Sequence, residues 1–341
     1  MIEQYHNFII KKESKMFQKL QINDRIHVIA PSTSLSVIRV GQVGEESHHR
    51  AIKKLTNLGL NVTFGKHVYE TGPFQTPSVV QRLEDLHNAF RNPEIKAIIT
   101  VLGGWHGNQI LHGIDYKLIE TNPKIFCGYS DISVFHGAFQ RKAGLNTWYG
   151  PHFSTFGMKH GLEYTIEYFV KALMSEESYE IKPSTYWADD EWFIDQEKRD
   201  FIENKGYIIL QEGSAEGKIV GGNLCSLHLL QGTQYFPEIH EGILFFEDLR
   251  NIREFDRILQ SVLQSPGGNT VRGLVIGRSP PKSNPNREWL EHMVQTKPEL
   301  KGKPVIYGVD FGHTTPHTTF PLGGKTQIIA EKGNISIKIV R

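Results

Sequence analysis

Two titratable side chains follow apolar runs in the second half of the chain. Glu247 lies at the end of such a run in "ILFFEDL", and His313 directly follows "KPVIYGVDFG". Open α/β sheets expose functional groups at the carboxyl ends of their strands, so this pair could be the orienting acid and the general base of a catalytic triad. The alternative is that Glu247 caps the following turn and that His313 is an ordinary loop histidine.

A glycine turn in "TVLGGWHGNQILHGIDY", residues 100–116, could supply the other half of such a site. An apolar run ends at Gly103 and Gly104, and a helix-like segment begins at once. Backbone N–H groups at the start of a helix have no partner within it and can hold a phosphate or a developing oxyanion. The alternative is a tight turn with no chemical role, which contains glycine only because its backbone conformation requires it. No serine, cysteine or threonine lies between Gly103 and Tyr116 to act as a nucleophile.

Other kinds of site are poorly matched. His313 and His317 are four residues apart, but Pro316 between them argues against a helical metal-binding pair, so we predict no metal and no cofactor. Only Gly104 and Gly107 fit the spacing of a dinucleotide fingerprint. A nucleotide or sugar-phosphate enzyme would need a phosphate loop after the first strand, and "APSTSLS" there has neither a lysine nor a run of glycines.

The composition is typical of a globular chain of 341 residues, long enough for two domains, with 39% hydrophobic and 22% charged residues. The net charge of +1 gives no basic surface for nucleic acid or for a membrane, and no stretch approaches the ~20 apolar residues of a membrane helix. Cys127 and Cys225 lie in apolar contexts, which predicts buried thiols and a reducing compartment, the cytoplasm.

Strands alternating with amphipathic helices predict βαβ units and a parallel sheet. The expected divisions are an extension over 1–16, an α/β domain with a Rossmann- or flavodoxin-like sheet over 17–155, a crossover with an aromatic and acidic segment over 156–215, and a smaller α/β domain over 216–341. The active site is expected at the interface of the two α/β domains. Thr76 is predicted to cap the helix that follows it.

Several ordered motifs make the chain resemble the S66 serine peptidase family, which contains LD-carboxypeptidases and microcin C immunity-type peptidases. The resemblance begins at "KLQINDRIHVIAPS" and runs to the C-terminus. The motifs are "GGWHGNQIL", "KIFCGYSDISVFHGAF", "YGPHF", "GKIVGGNLCSL", "ILFFEDL" and "FGHTTPHTTFPLG". The segment "WADDEWFIDQEKRDFIENKGY" resembles the microcin-immunity branch more than the murein-recycling branch.

The resemblance implies a serine nucleophile at the glycine turn, a glutamate and a histidine in the second domain, and backbone amides as the oxyanion hole. By motif, the glutamate and the histidine are Glu247 and His313. The nucleophile falls at Gly107, with Asn108 as the neighbouring alternative, and neither residue can attack a carbonyl. The amides that would hold the oxyanion lie near Gly104 and Asn108.

Three further residues are predicted to bind substrate: Trp187 in the aromatic and acidic segment, Ser130 at the end of the strand "KIFCGYS", and Asp131 directly after it. The relatives imply a short-peptide or small-molecule substrate with an amide next to a free carboxylate, either a murein peptide or a peptidyl-nucleotide antibiotic. They also imply a homodimer. Glycine at position 107 leaves two functions open: a hydrolase of this family with activity in doubt, or a binder that sequesters the ligand.

Overall fold

Parallel βαβ units build the first half of the protein, as the alternation of apolar runs predicts. The computed structural model describes residues 19–39, 44–248, 251–283 and 285–341, so the predicted extension over 1–16 lies outside the described residues. The elements of this half, in chain order, are β1 (Arg25–Ile29), α1 (Ser36–Arg39), α2 (Gly44–Asn57), β2 (Asn61–Phe64), α3 (Val79–Arg91), β3 (Ile95–Thr100), α4 (Tyr116–Thr121), β4 (Ile125–Gly128), α5 (Ser133–Ala143) and β5 (Thr147–Tyr149).

These five strands are parallel and lie in the order β2-β1-β3-β4-β5, which is the flavodoxin-like order. Strand β4 is buried along its whole length, as expected for a parallel sheet that is covered on both faces. The residue that caps helix α3 is Ser78 rather than the predicted Thr76. Ser78 and Gln81 form a reciprocal capping box, which satisfies two N–H groups at the start of the helix.

The middle of the chain supplies strands to the second sheet and a small separate hairpin. Its elements are α6 (Glu163–Leu173), β6 (Tyr179–Glu180), β7 (Tyr186–Trp187), β8 (Ile202–Glu203) and β9 (Ile208–Gln211). Strands β7 and β8 pair only with each other, in an antiparallel hairpin. The residue after this first hairpin strand, Ala188, forms a backbone bridge with Thr315, two residues after His313. The aromatic and acidic segment is therefore joined to the loop that carries the histidine.

The second half, together with β6 and β9 from the middle of the chain, forms an eight-stranded mixed sheet. Its elements are β10 (Gly213–Asn223), α7 (Leu224–His228), β11 (Gly242–Glu247), α8 (Ile252–Leu263), β12 (Gly273–Gly277), α9 (Arg287–Gln295), β13 (Val305–Val309), β14 (Phe320–Leu322), β15 (Lys325–Glu331) and β16 (Asn334–Val340). The strand order is β6-β16-β15-β10-β11-β12-β13-β9, with β10 to β13 parallel. The predicted class, two α/β units with parallel sheets, is confirmed.

One strand of the second half belongs to the first sheet. Strand β14 pairs antiparallel with β5, Phe320 opposite Tyr149, and so forms an edge of the flavodoxin-like sheet. The chain then returns to the second sheet through β15 and β16. The segment between β13 and β14, which contains His313, is the connection that crosses from one sheet to the other.

Candidate active site

Glu247 is the last residue of β11, and its carboxylate is almost completely buried, with 1% of its side chain exposed. Its Oε2 lies 2.9 Å from Nδ1 of His313, so the predicted hydrogen bond between the two residues is confirmed. Its Oε1 accepts from the hydroxyl of Tyr149 at 2.7 Å and from Nδ2 of Asn223 at 2.9 Å. Three partners therefore fix the orientation of this carboxylate.

The partner of the other imidazole nitrogen is Ser130. Because an ionised carboxylate can only accept, Nδ1 of His313 carries the hydrogen, and Nε2 is left with a lone pair. Nε2 lies 3.0 Å from Oγ of Ser130. Glu247, His313 and Ser130 therefore form one hydrogen-bonded line of carboxylate, imidazole and hydroxyl, assembled from the ends of strands in both sheets.

Ser130 lies in a sharp turn between a strand and a helix. Strand β4 ends at Gly128, helix α5 begins at Ser133, and Ser130 has a left-handed φ of 60°. Non-glycine residues held in this conformation store local strain and cluster at functional sites. A serine on such a strand-to-helix turn exposes its hydroxyl above the sheet edge, which is the arrangement of nucleophile elbows in α/β-hydrolases.

The glycine turn after β3 packs directly against this serine. A Cβ at Gly103 would lie 2.8 Å from Cβ of Ser130 and 2.9 Å from its Oγ, so any side chain there would collide with the hydroxyl. Gly104 has a φ of +145°, and a Cβ there would lie 2.4 Å from the hydroxyl oxygens of both Ser32 and Thr33. The glycine pair thus allows main chain to approach Ser130 closely.

Gly107, the predicted nucleophile position, lies next to the turn that carries Ser130. It is buried at the start of a 3-10 helix over Gly107–Gly113, and its N–H donates to Oδ2 of Asp131 at 2.8 Å. A Cβ on it would lie 2.9 Å from the ring of Phe135 and 3.0 Å from Cγ2 of Val134, both on α5. The hydroxyl beside the imidazole belongs to Ser130, and the placement of the nucleophile at position 107 stays a prediction.

Two family models match the chain: the LD-carboxypeptidase N-terminal domain over residues 26–150 and the LD-carboxypeptidase C-terminal domain over residues 216–328. Together they cover more than half of its length. The chain belongs to the S66 peptidase family.

Similar proteins match this S66 chain over nearly its whole length. The putative carboxypeptidase YocD of Bacillus subtilis is 46% identical, with 94% of this chain and 98% of that protein covered. The microcin C7 self-immunity protein MccF of Escherichia coli is 29% identical, with 96% and 97% covered. The crystal structure of an MccF-like protein from Bacillus anthracis superposes with a TM-score of 0.91 at 46% identity, covering 95% of this chain and 98% of that one. The structure of MccF with glutamyl sulfamoyl guanosine superposes with a TM-score of 0.85 at 27% identity, covering 96% of this chain and 98% of that one.

Asp131, predicted to bind substrate, makes its hydrogen bonds to other residues of the protein. Its carboxylate is buried, and Oδ2 accepts from Oγ of Ser32 at 2.6 Å as well as from the N–H of Gly107. It thereby connects the loops after β1 and β3 to the turn that carries Ser130. Asn108, the predicted oxyanion residue, is exposed at the start of the 3-10 helix.

Buried histidines surround the imidazole of His313. The ring of Tyr129 is stacked on His152 at 4.1 Å and lies 4.6 Å from that of His317. Burial lowers the pKa of His317 to about 3, with a smaller contribution from nearby His313, and burial lowers the pKa of His136 to about 4. These imidazoles are neutral at neutral pH. His313, with 26% of its side chain exposed, is the member of the group that solvent and substrate can reach.

One group of possible metal ligands occurs in the described part of the chain. Glu247, Asp248 and His313 each place a ligand atom within 4.8 Å of the others. Both carboxylate oxygens of Glu247 already accept hydrogen bonds, and a cation bound to Nδ1 would displace the proton that orients His313. The arrangement is better suited to proton transfer than to metal binding.

Trp187, the other predicted substrate residue, is half-buried beside the loop that carries His313. The guanidinium of Arg278 lies 4.9 Å over its ring. That guanidinium is fixed in turn by a 2.9 Å ion pair with Asp310, which is 1% exposed. The neighbouring Ala188 is bonded to Thr315 through two backbone hydrogen bonds of 2.8 Å. Trp187 is thus held on a rigid support close to the triad.

The thiols and helices agree with the sequence. Cys127 and Cys225 are not linked in a disulfide; the first is buried and the second half-buried. Among the helices that the structure describes, each is too short or too polar to cross a membrane.

Sequence reasoning placed Ser130 with the substrate-binding residues and did not anticipate its contact with His313. The available signal was its position between the buried strand "IFCG" and a helix. That is the same carboxyl edge of the sheet at which the glycine turn lies. The other interdomain partners, Tyr149 and Asn223, carried no separate signal because their role depends on which strands face each other.

Proposed function

We propose that the protein is an active serine-type carboxypeptidase in which Ser130 is the nucleophile, His313 the general base and Glu247 the orienting acid. The observation that carries the proposal is the 3.0 Å contact between Nε2 of His313 and Oγ of Ser130, in line with the bond from His313 to Glu247. A nucleophile within hydrogen-bond reach of a base that a third group orients is the signature of nucleophilic catalysis.

In the proposed reaction, Oγ of Ser130 attacks the amide carbonyl carbon while its proton moves to Nε2 of His313. The buried carboxylate of Glu247 stabilises the imidazolium that forms. His313 then gives the proton to the departing nitrogen, the C–N bond breaks, and an acyl-enzyme remains. A water molecule, deprotonated by His313, attacks this ester; the C–Oγ bond breaks, the proton returns to Ser130, and a free carboxylate is released.

Two backbone amides are proposed to hold the oxyanion. The first is the N–H of Asp131, the residue after the nucleophile; a Cβ on Gly103 would lie 3.4 Å from this nitrogen. The second is the N–H of Gly104. The carbonyl of Gly103 accepts from Thr33 at 3.1 Å, and in a trans peptide the N–H points the opposite way, away from the Thr33 loop. Each such donor is worth roughly 10²–10³ in kcat in serine proteases.

We propose that the substrate contains an amide next to a free carboxylate, either an L,D-linked murein peptide or an aminoacyl nucleotide of the microcin type. Relatives named as carboxypeptidases and the MccF structures with aminoacyl sulfamoyl nucleosides support this class. The sequestering alternative rests on a missing hydroxyl, whereas this proposal assigns the attack to the hydroxyl that lies beside the imidazole, that of Ser130. We also propose a homodimer, as the family resemblance implies, and a cytoplasmic location, with which two cysteines that form no disulfide agree.

The test is Ser130→Ala, assayed on an L,D-linked murein tetrapeptide and on aspartyl sulfamoyl adenosine. We expect wild-type hydrolysis of at least one substrate, labelling of Ser130 by a fluorophosphonate, and loss of both in the variant. Ser214→Ala removes an exposed hydroxyl from β10 and is the matched control, with activity unchanged. Tight ligand binding by a wild type that turns over neither substrate would refute the proposal and favour sequestration.

A further inference from the structure

We propose that Tyr149 is a positioning residue for the triad, holding the acid and the nucleophile turn in one alignment. This inference rests on the proposed function. Tyr149 ends β5 of the first sheet and is 1% exposed. Its hydroxyl donates to Oε1 of Glu247, which ends β11 of the second sheet, at 2.7 Å. A side chain of one sheet therefore fixes the acid of the other.

The hydroxyl of Tyr149 begins a chain of hydrogen bonds that ends at the nucleophile turn. Burial, together with the nearby charge of Glu247, raises the pKa of Tyr149 well above its ordinary value, so the phenol keeps its proton. With a single hydrogen to give, Tyr149 gives it to the carboxylate. Glu247 is bonded in turn to Nδ1 of His313, and Nε2 of His313 lies 3.0 Å from Oγ of Ser130.

Packing leaves the tyrosine ring little freedom to turn away. Its ring is stacked on that of Phe320 with centroids 5.3 Å apart, and it meets the ring of Phe311 edge-on at 6.1 Å. Phe320 is its opposite residue in the pairing of β5 with β14, and Phe311 lies two residues before His313. The ring is thus clamped by residues on both sides of the histidine in the chain.

The contribution of the hydroxyl should be felt at the carboxylate. Oε1 of Glu247 has two donors besides the histidine on Oε2, namely Tyr149 and Asn223. Without the tyrosine donor, the carboxylate is held on that side by Asn223 alone. The direction of the imidazole, and with it the alignment of Nε2 with Oγ of Ser130, becomes less defined. Catalysis depends on such alignment, whereas ground-state binding of substrate does not require it.

The experiment compares Tyr149→Phe with Tyr179→Phe. Phenylalanine keeps the ring and its stacking, so the first variant removes only the hydroxyl. Tyr179 is the matched control, because its buried hydroxyl donates to the carbonyl of Thr319 at 2.7 Å and takes no part in the hydrogen bonds of the triad. We expect Tyr149→Phe to lower kcat about 10- to 100-fold, which corresponds to about 1.4–2.7 kcal/mol, with KM within twofold. Tyr179→Phe should leave both constants within twofold and lose comparable thermal stability.

A second readout does not depend on turnover. The Nδ1 proton of His313, bonded to a buried carboxylate, should give a low-field proton resonance, assigned by its absence in His313→Gln. We expect this resonance to persist in Tyr179→Phe and to shift or disappear in Tyr149→Phe. Equal kcat in the two tyrosine variants with an unchanged resonance would overturn the inference. If the wild type hydrolyses neither substrate, the proposed function fails by itself, and the resonance alone decides the positioning role: its loss in Tyr149→Phe supports that role and its persistence overturns it.

Discussion

Replacing Gly107 by serine distinguishes the two possible positions of the nucleophile. If position 107 were a vacant nucleophile site, the added hydroxyl would create or increase hydrolysis. In the structure, however, a Cβ at this position would lie 2.9 Å from Phe135, 3.0 Å from Val134 and 3.1 Å from Oδ2 of Asp131. Helix α5 fixes these neighbours, so the side chain is overpacked, at a cost of roughly 1–3 kcal/mol.

That cost translates into a small change in melting temperature. The unfolding entropy of a 341-residue chain is roughly 0.7 kcal/mol per kelvin, so the midpoint should fall by about 1–4 °C. Gly72→Ser is the control, since Gly72 is exposed, has an ordinary φ of −138°, and has room for a side chain beyond one 3.2 Å contact. We expect that control to melt within 1 °C of the wild type, a shift of about 0.7 kcal/mol on the same scale.

The decisive assay is fluorophosphonate labelling with peptide mapping, combined with hydrolysis, in Gly107→Ser and in the double variant with Ser130→Ala. We expect the label on Ser130 in the single variant, no gain in its activity, and neither label nor activity in the double variant. Labelling of the serine introduced at 107, or recovery of hydrolysis in the double variant, would refute the placement of the nucleophile at Ser130.

Two further predictions concern the cleft and the buried histidines. Trp187→Ala should weaken binding of aspartyl sulfamoyl adenosine about tenfold or more, since stacking of a base on an aromatic ring is worth ~1–3 kcal/mol. The control is Trp289→Ala, which removes an exposed side chain from α9 and should leave the affinity measured by titration calorimetry unchanged. If Trp187→Ala keeps the wild-type affinity but loses much stability, Trp187 serves only to pack the segment against the protein. His136 has a pKa of about 4 in the folded protein against 6.5 when free, so the unfolded chain binds more protons between these values and stability falls as pH is lowered from about 6.5 towards 4. His136→Gln should reduce that slope of unfolding free energy by up to about 1.4 kcal/mol per pH unit, and identical slopes in urea titrations of variant and wild type would contradict it.

How far the sequence predicts the site can be traced through three residues. Glu247 and His313 were found because each follows an apolar run, and the carboxyl ends of parallel strands lie at the same edge of a sheet. Ser130 also follows such a run, but its chemistry depends on an imidazole far away in the chain. Local patterns do not say which strand ends face each other across two sheets, so the contact of Ser130 with His313 was not foreseen, and the family motif alone placed the nucleophile position at Gly107.

Boundaries between the halves were harder to anticipate for a related reason. Strands of two or three residues, such as β6 and β14, have almost no periodicity of their own, and their sheet is chosen by tertiary contacts. The cap of α3 was predicted at the wrong residue for a local reason. Both Thr76 and Ser78 are good capping residues, and only Gln81, three residues after Ser78, favours Ser78.

The path of β14 has a consequence for how the protein is made. A ribosome completes β1 to β5 early, but the edge strand that pairs with β5 emerges only after the central strands of the second sheet. His313 lies in the connection just before that strand. The first half of a nascent chain therefore leaves the ribosome with an uncovered sheet edge and with a serine that has no base. In the proposed mechanism, catalytic competence is acquired late in synthesis, when residues 313–322 bring β14 to β5, and a chain truncated before this point would carry Ser130 without its base.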